Sequence, residues 1–173
     1  MKGAKIVLFI LFYIFLVKCV EIYIFCDIIT LNKTFKVKGM KIIMNFYIGS
    51  GFKNCELVNY YSKILEENGW KHTYNWAKNI SGDETIEDLI EYSKLEQKGI
   101  IDSDAVIILL PAGRGTHIEL GMALALNKKI FLCSATKDEF SVENTVNFYQ
   151  LPSIVKLVGT ADENLKEIIK EGK

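Results

Sequence analysis

From Met40 onward the sequence predicts a single α/β domain, an open parallel sheet of about five strands with helices on both faces. Two patterns carry this expectation. Short apolar runs alternate with segments of helical period, and Ala105–Leu110 (AVIILL) contains no polar residue, the mark of a central parallel strand covered on both sides. Strands alternating with helices through short connections specify right-handed crossovers, and so a parallel sheet.

The first strand is expected at Lys41–Ile48 (KIIMNFYI), bounded by Gly49-Ser50-Gly51. Residues 54–68 place Leu57, Val58, Tyr61, Ile64 and Leu65 on one helical face, and Gly69 stops that helix as its C′ residue. Trp70–Trp76 reads as a second strand. A helix from about Thr85 to Ile101 would turn Ile86, Leu89, Ile90 and Leu95 inward. After the third strand, Ala105–Leu110, come a loop from Pro111 to Gly115, a helix at Thr116–Leu126 and a fourth strand at Lys129–Cys133. A mixed segment to about Gln150 reads as helix, Ser153–Val158 as the fifth strand and Ala161–Lys170 as the closing helix. The architecture is Rossmann- or flavodoxin-like. In such sheets ligands sit outside the carboxyl ends of the strands, here at the loops after strands one and three.

Residues 1–39 form an apolar extension ahead of the domain at 40–173. Ile6 to Val17 is unbroken apolar sequence behind Lys2 and Lys5. A signal peptide has such a start, but no small-x-small cleavage site follows and Lys18 precedes Cys19. A membrane anchor needs about 20 apolar residues, and extending the run to Ile29 brings in Lys18, Glu21 and Asp27. Upstream sequence carried by an early start codon is the third reading, and it fits the way Met40-Lys41-Ile42 opens into a strand. The domain is expected to be cytoplasmic, and membrane-attached only if residues 1–39 are expressed.

Charge narrows the partners. Lys plus Arg and Asp plus Glu are equal at 21 each, with no basic cluster longer than a pair. A nucleic-acid binder carries a basic face, so no nucleic-acid partner is expected, while a small phosphorylated ligand stays open. Cys19, Cys26, Cys55 and Cys133 form no CxxC, and His72 and His117 are the only histidines. No metal site can be assembled at familiar spacing, and the cysteines read as small buried hydrophobes.

The most informative stretch is Gly113-Arg114-Gly115-Thr116-His117-Ile118-Glu119-Leu120-Gly121. Gly113 and Gly115 let the backbone approach a ligand and turn into a helix. No Gly-Lys-Ser/Thr follows, and Ile118 occupies the third glycine position of GxGxxG, so neither nucleotide fingerprint applies. Thr116-x-x-Glu119 matches a capping box, which would occupy Glu119 as a helix cap. A first-turn carboxylate beside a glycine loop is also well placed to attack a bound sugar, with the helix N-terminus favouring its ionised form.

Opposite stand Tyr47, Gly49, Ser50 and Phe52. Tyr47 is either core or a partner for Glu119, and Ser50 either a turn residue or a ligand donor. Glu96 reads as a solvated helix charge, and His117 as a surface or capping residue. Trp70, Tyr74 and Trp76 offer core packing or a wall for a flat base.

At these residues the chain resembles the nucleoside 2-deoxyribosyltransferase family and its relatives that hydrolyse 2′-deoxynucleoside 5′-phosphates. Four stretches between Met40 and Ser134 carry the resemblance: Asn45–Phe52, Glu96 to Asp104, Asp104–Leu110, and Gly115–Ala123 (GTHIELGMA), the last being the most specific. The resemblance implies that Glu119 is the nucleophile and that Tyr47 positions it. Glu96 falls where the family has an aspartate, and Pro111 to Thr116 contains no acid matching its second aspartate. Gly49, Ser50, Phe52, Glu96, Gly113, Gly115 and Thr116 would bind a nucleoside or nucleoside 5′-monophosphate. Ser50, Lys53 or Arg114 would meet a 5′-phosphate.

The implied reaction breaks an N-glycosidic bond, by transfer or hydrolysis, without a metal or redox cofactor, in a homodimer or larger assembly. Two other readings stay open. One is a non-catalytic nucleotide-binding module in a sensing or defence system, and the other an NAD-glycohydrolase-like activity.

Overall fold

The computed structural model describes residues 43–79 and 82–172, so the expected N-terminal extension at 1–39 lies outside the described residues. Five parallel strands, β1 (Asn45–Ser50), β2 (Lys71–His72), β3 (Ala105–Leu109), β4 (Lys129–Ser134) and β5 (Ile154–Val158), stand in the order β2-β1-β3-β4-β5. Among the described residues four α-helices accompany them: α1 (Cys55–Glu67), α2 (Ile86–Asp102), α3 (Arg114–Ala125) and α4 (Ala161–Glu171).

The chain steps one way from β1 to β2 and the other way from β2 to β3 to β4. Right-handed crossovers therefore put α1 on one face and α2 and α3 on the other. Contacts agree, since α1 packs with α4 and α2 with α3. Between them β3 is buried along its whole length, as its all-apolar sequence requires. Phe46, Ile48, Ile107, Phe131 and Leu132 are fully enclosed, each contributing about 1.5–3 kcal/mol of transfer free energy.

Local signals set the helix ends. Gly69 adopts φ 85° after α1, and the amides of Gly69 and Trp70 return to Glu66 O and Leu65 O. Thr85 and Asp88 form a reciprocal capping box at the start of α2, and Thr160 and Glu163 repeat it at α4.

Four expectations need correction. The second strand covers Lys71–His72 rather than Trp70–Trp76. Beyond it the chain turns inward so that the buried indole N–H of Trp76 donates to Ile48 O at 2.8 Å, satisfying a donor that a plain strand would strand. The segment after β4 is not a helix but holds two 3₁₀ turns, Asp138–Phe140 and Asn147–Gln150. Its polar side chains bond locally instead, as when Gln150 Nε2 reaches Thr145 Oγ1 at 2.9 Å. Ile86, Leu89 and Ile90 are exposed, because α2 buries only Gly99 and Ile100, near its C-terminal end. Finally, the third helix begins at Arg114, two residues earlier than expected.

Candidate active site

Strand alternation sets the site. Tyr47 and Gly49 share one face of β1, while Phe46, Ile48 and Ser50 share the other. The Tyr47 face receives α2 and α3. On α3 the buried residues are Thr116, Glu119, Leu120 and Ala123, the i, i+3, i+4, i+7 row that faces a core. Glu119 thus occupies a position where helical period calls for an apolar residue.

Its early start places Glu119 as the sixth residue of α3, outside the first turn. Gly113 is the N-cap, and its amide donates to Thr116 Oγ1 at 3.3 Å. The capping-box pairing of Thr116 with Glu119 is therefore absent. Instead the Tyr47 hydroxyl donates to Glu119 Oε1 at 2.6 Å, in a buried pair drawn from two elements. Glu119 Oε2 is buried with no hydrogen-bond partner. It lies in the space left by Gly49, where a Cβ would collide with it and stand 3.0 Å from Ile108 Cδ1.

Electrostatics follow from this enclosure. Burial pushes the Glu119 carboxyl up to about 7, the Tyr47 bond pulls it down, and the charge of Glu96 adds to the rise. The expected helix-terminus effect does not reach Glu119, which stands beyond the first turn of α3. Tyr47 is driven well above the usual phenol range by burial first and then by Glu119. Burial also raises Glu96, which is half-buried on α2.

A cleft of about 310 Å³ is lined in part by Phe52, Tyr74, Trp76, Leu89, Tyr92 and Glu96. The Tyr47 ring and Tyr74 Cβ both lie at Gly99, which ties the cleft wall to the buried pair. Phe52 is 63% exposed, and its ring centroid is 6.2 Å from that of Trp76. Leu89, Tyr92, Ser93 and Glu96 are one row of α2 facing this cleft. Leu89 and Tyr92 are wall residues that sequence reasoning missed; the signal is their spacing to Glu96, whereas the sequence reading turns Leu89 to the core and Glu96 to solvent.

The other expected site residues fall outside the cleft. Ser50 is committed: its hydroxyl donates to Leu109 O at 2.8 Å and accepts from Asn54 Nδ2 at 2.9 Å, pinning the ends of β1 and β3 together. A Cβ at Gly113 would rest at ordinary van der Waals distance, 3.5 Å from Gly51 Cα, whereas one at Gly51 would stand 3.2 Å from Pro111 O, so the close loop approach falls on Gly51. A Cβ at Gly115 would meet open space. Trp70 packs edge-on to Phe46 at 6.1 Å, away from the cleft lining. His117 is held by Gly113 O at 2.7 Å and Tyr149 Oη at 3.0 Å.

Among the described residues, no three His, Cys, Asp or Glu side chains are grouped to hold a metal ion. No helix there is long and apolar enough to cross a membrane.

A model of the nucleoside 2-deoxyribosyltransferase family matches residues 46–159. Among solved structures, the CMP N-glycosidase BcmB of Clostridium botulinum is similar at 22% identity and a TM-score of 0.50, over 73% of this chain and 98% of its own. That likeness supports the fold. No curated protein matches the sequence.

Proposed function

The chain belongs to the nucleoside 2-deoxyribosyltransferase family, and from that premise we propose that it breaks the N-glycosidic bond of a nucleoside or nucleoside 5′-monophosphate with Glu119 as nucleophile. The observation that carries this reading is the buried Tyr47–Glu119 pair, in which Oε1 is held and Oε2 lies unpartnered over Gly49. A carboxylate attacks best when one oxygen is held and the other is free. Here the phenol holds Oε1.

In the proposed sequence a base lies against the aromatic walls, its sugar over Gly49. Oε2 attacks the anomeric carbon through an oxocarbenium-like transition state. The C–N bonding pair leaves with the base, which takes a proton from solvent. The glycosyl ester on Glu119 is then opened by water or by a second base, regenerating the carboxylate. Near pH 7 a carboxyl titrating at about 7 is half ionised and poorly solvated, which suits attack more than surface solvation would.

For a 5′-phosphate the candidates are Lys53 and Arg114, exposed at the loops leaving β1 and β3. The committed hydroxyl of Ser50 leaves them the larger part. A homodimer or larger assembly belongs to the same reading, supported by the exposed Ile86, Leu89 and Ile90 near the cleft and by exposed Ile118 on α3. We place the domain in the cytoplasm.

A non-catalytic nucleotide-binding module is the second reading, favoured by the absence of acids between Pro111 and Thr116. One experiment separates the two. The purified chain is incubated with deoxynucleosides, ribonucleosides, their 5′-monophosphates (CMP included) and NAD, and free base is followed by chromatography. Base release supports the enzyme and identifies its substrate. Ligand-induced melting shifts without release would establish the binding module instead.

A further inference from the structure

The buried end of α2 contains a glycine, Gly99. Inside a helix, glycine costs about 1 kcal/mol relative to alanine. Backbone freedom does not account for it, since Gly99 is not among the glycines with positive φ. Close approach does. A Cβ at Gly99 would stand 3.0 Å from Tyr47 Cδ2, 3.3 Å from Tyr47 Cε2 and 3.0 Å from Tyr74 Cβ, where carbon atoms rest at about 3.5–4.0 Å. Neither neighbour is the loose end of a flexible chain. Tyr47 is fully buried on a strand flanked by β2 and β3, and Tyr74 Cβ is anchored to backbone.

We propose that Gly99 is a positioning residue for the buried pair, its missing side chain seating the Tyr47 ring at the depth from which the phenol reaches Glu119. The inference rests on the proposed role of that pair and identifies what sets its geometry from a third element. A methyl group at position 99 leaves two escapes, tilting the Tyr47 ring or lifting α2 from the sheet. Tilting the ring lengthens its 2.6 Å bond to Glu119 Oε1, whereas lifting α2 moves neither partner, since Tyr47 stands on β1 and Glu119 on α3.

The titratable groups facing Glu119 are Tyr47 from β1 and Glu96 from α2. Weakening the Tyr47 bond removes the influence that favours the ionised carboxylate. Lifting α2 alone would withdraw Glu96 and lower the value instead, so the direction of the shift tells the two escapes apart. Seating of the ring by Gly99 requires the upward shift, and a downward one overturns it.

The test reads Glu119 directly and needs no turnover. The full chain is labelled with ¹³C at glutamate carboxyls and titrated by NMR as wild type, Gly99→Ala, Tyr47→Phe and the double variant. The Glu119 signal is assigned by its loss in Glu119→Gln. Gly99→Ala should move the Glu119 midpoint upward by roughly half a pH unit, in the same direction as Tyr47→Phe, and add nothing once Tyr47 is Phe. An unchanged midpoint in folded Gly99→Ala, or an equal shift in both backgrounds, overturns the proposal. Should Gly99→Ala not fold, Tyr47→Leu, which removes the obstructing ring atoms, must restore a cooperative melt. A double variant that stays unfolded overturns it as well. Base release surviving Glu119→Gln would refute the nucleophile while leaving this titration result intact.

Discussion

The Tyr47 hydroxyl and Glu119 Oε1 meet at 2.6 Å although 72 residues separate them in sequence. Three placements produce that meeting. Strand alternation turns Tyr47 and Gly49 to the same face, helical period turns Glu119 inward from α3, and the absent side chain of Gly49 leaves room for Oε2. Each placement can be disturbed separately.

Gly49→Ala sets a methyl group against Glu119 Oε2 and Ile108 Cδ1. Misplacing a reacting group by about 1 Å costs on the order of 10²-fold in rate. We expect kcat/KM for base release to fall by about that factor. Steady-state kinetics on the folded variant check it, and activity within threefold of wild type would mean that the carboxylate is not held over Gly49.

The pH dependence has a defined sign. A nucleophilic Glu119 must be ionised, so kcat/KM should fall as pH drops through about 7 and level off above it. Tyr47→Phe removes the bond that lowers this value, so the acid limb should move to higher pH as the plateau falls. An acid limb near the ordinary carboxyl value of 4.5 would contradict the buried assignment.

Stability should respond to two buried groups with opposite slopes. The folded value of Glu119, about 7, exceeds its ordinary 4.5, so its contribution is complete below pH 4.5 and is lost as pH rises through 7. Glu119→Gln should therefore stabilise the protein at pH 8 by on the order of 2–3 kcal/mol and hardly at all at pH 4. His72 acts the other way. Its imidazole, stacked on Phe46 at 4.5 Å with Nε2 unpartnered, is lowered by burial from 6.5 to about 3. Stability present above pH 6.5 is lost as pH falls toward 3, and His72→Phe should remove that loss. Urea titrations at pH 4, 6 and 8 measure both, and equal effects at every pH would disprove the linkage.

The cleft walls should divide by burial. Phe52→Ala, at an exposed position, is expected to raise KM several-fold with Tm almost unchanged. Trp76→Phe abandons the buried Ile48 carbonyl and should cost about 1–3 kcal/mol of stability. Melting curves alongside KM distinguish them. A Phe52→Ala protein with wild-type KM would remove the base from that wall.

Much of this architecture was legible because its elements carry local signals. The all-apolar β3 run and the Gly69 stop needed no tertiary information, whereas the residues around Tyr47 and Glu119 suit core and cap as well as a site. What escaped reading depends on contacts made across the fold. The start of α3 was misplaced because Gly113 caps without a side chain, leaving Thr116 and Glu119 to imitate a capping box. Trp76 left the expected strand for a carbonyl on β1, 28 residues away. Leu89 resembled a core residue because a row facing an aromatic cleft has the same period as a row facing a core. Ser50 suits a turn or a ligand equally in sequence, and only its bond to Leu109 O on the neighbouring strand commits it.

The rate of base release by Glu119→Gln at pH 8, where the wild-type carboxyl is ionised, decides whether Glu119 is the nucleophile. With the best substrate, loss of a nucleophile lowers the rate by at least about 10³-fold in a protein that melts no lower than wild type. Release within tenfold of the wild-type rate would contradict that role, leaving Glu119 as a buried structural carboxyl and the bond-breaking group elsewhere.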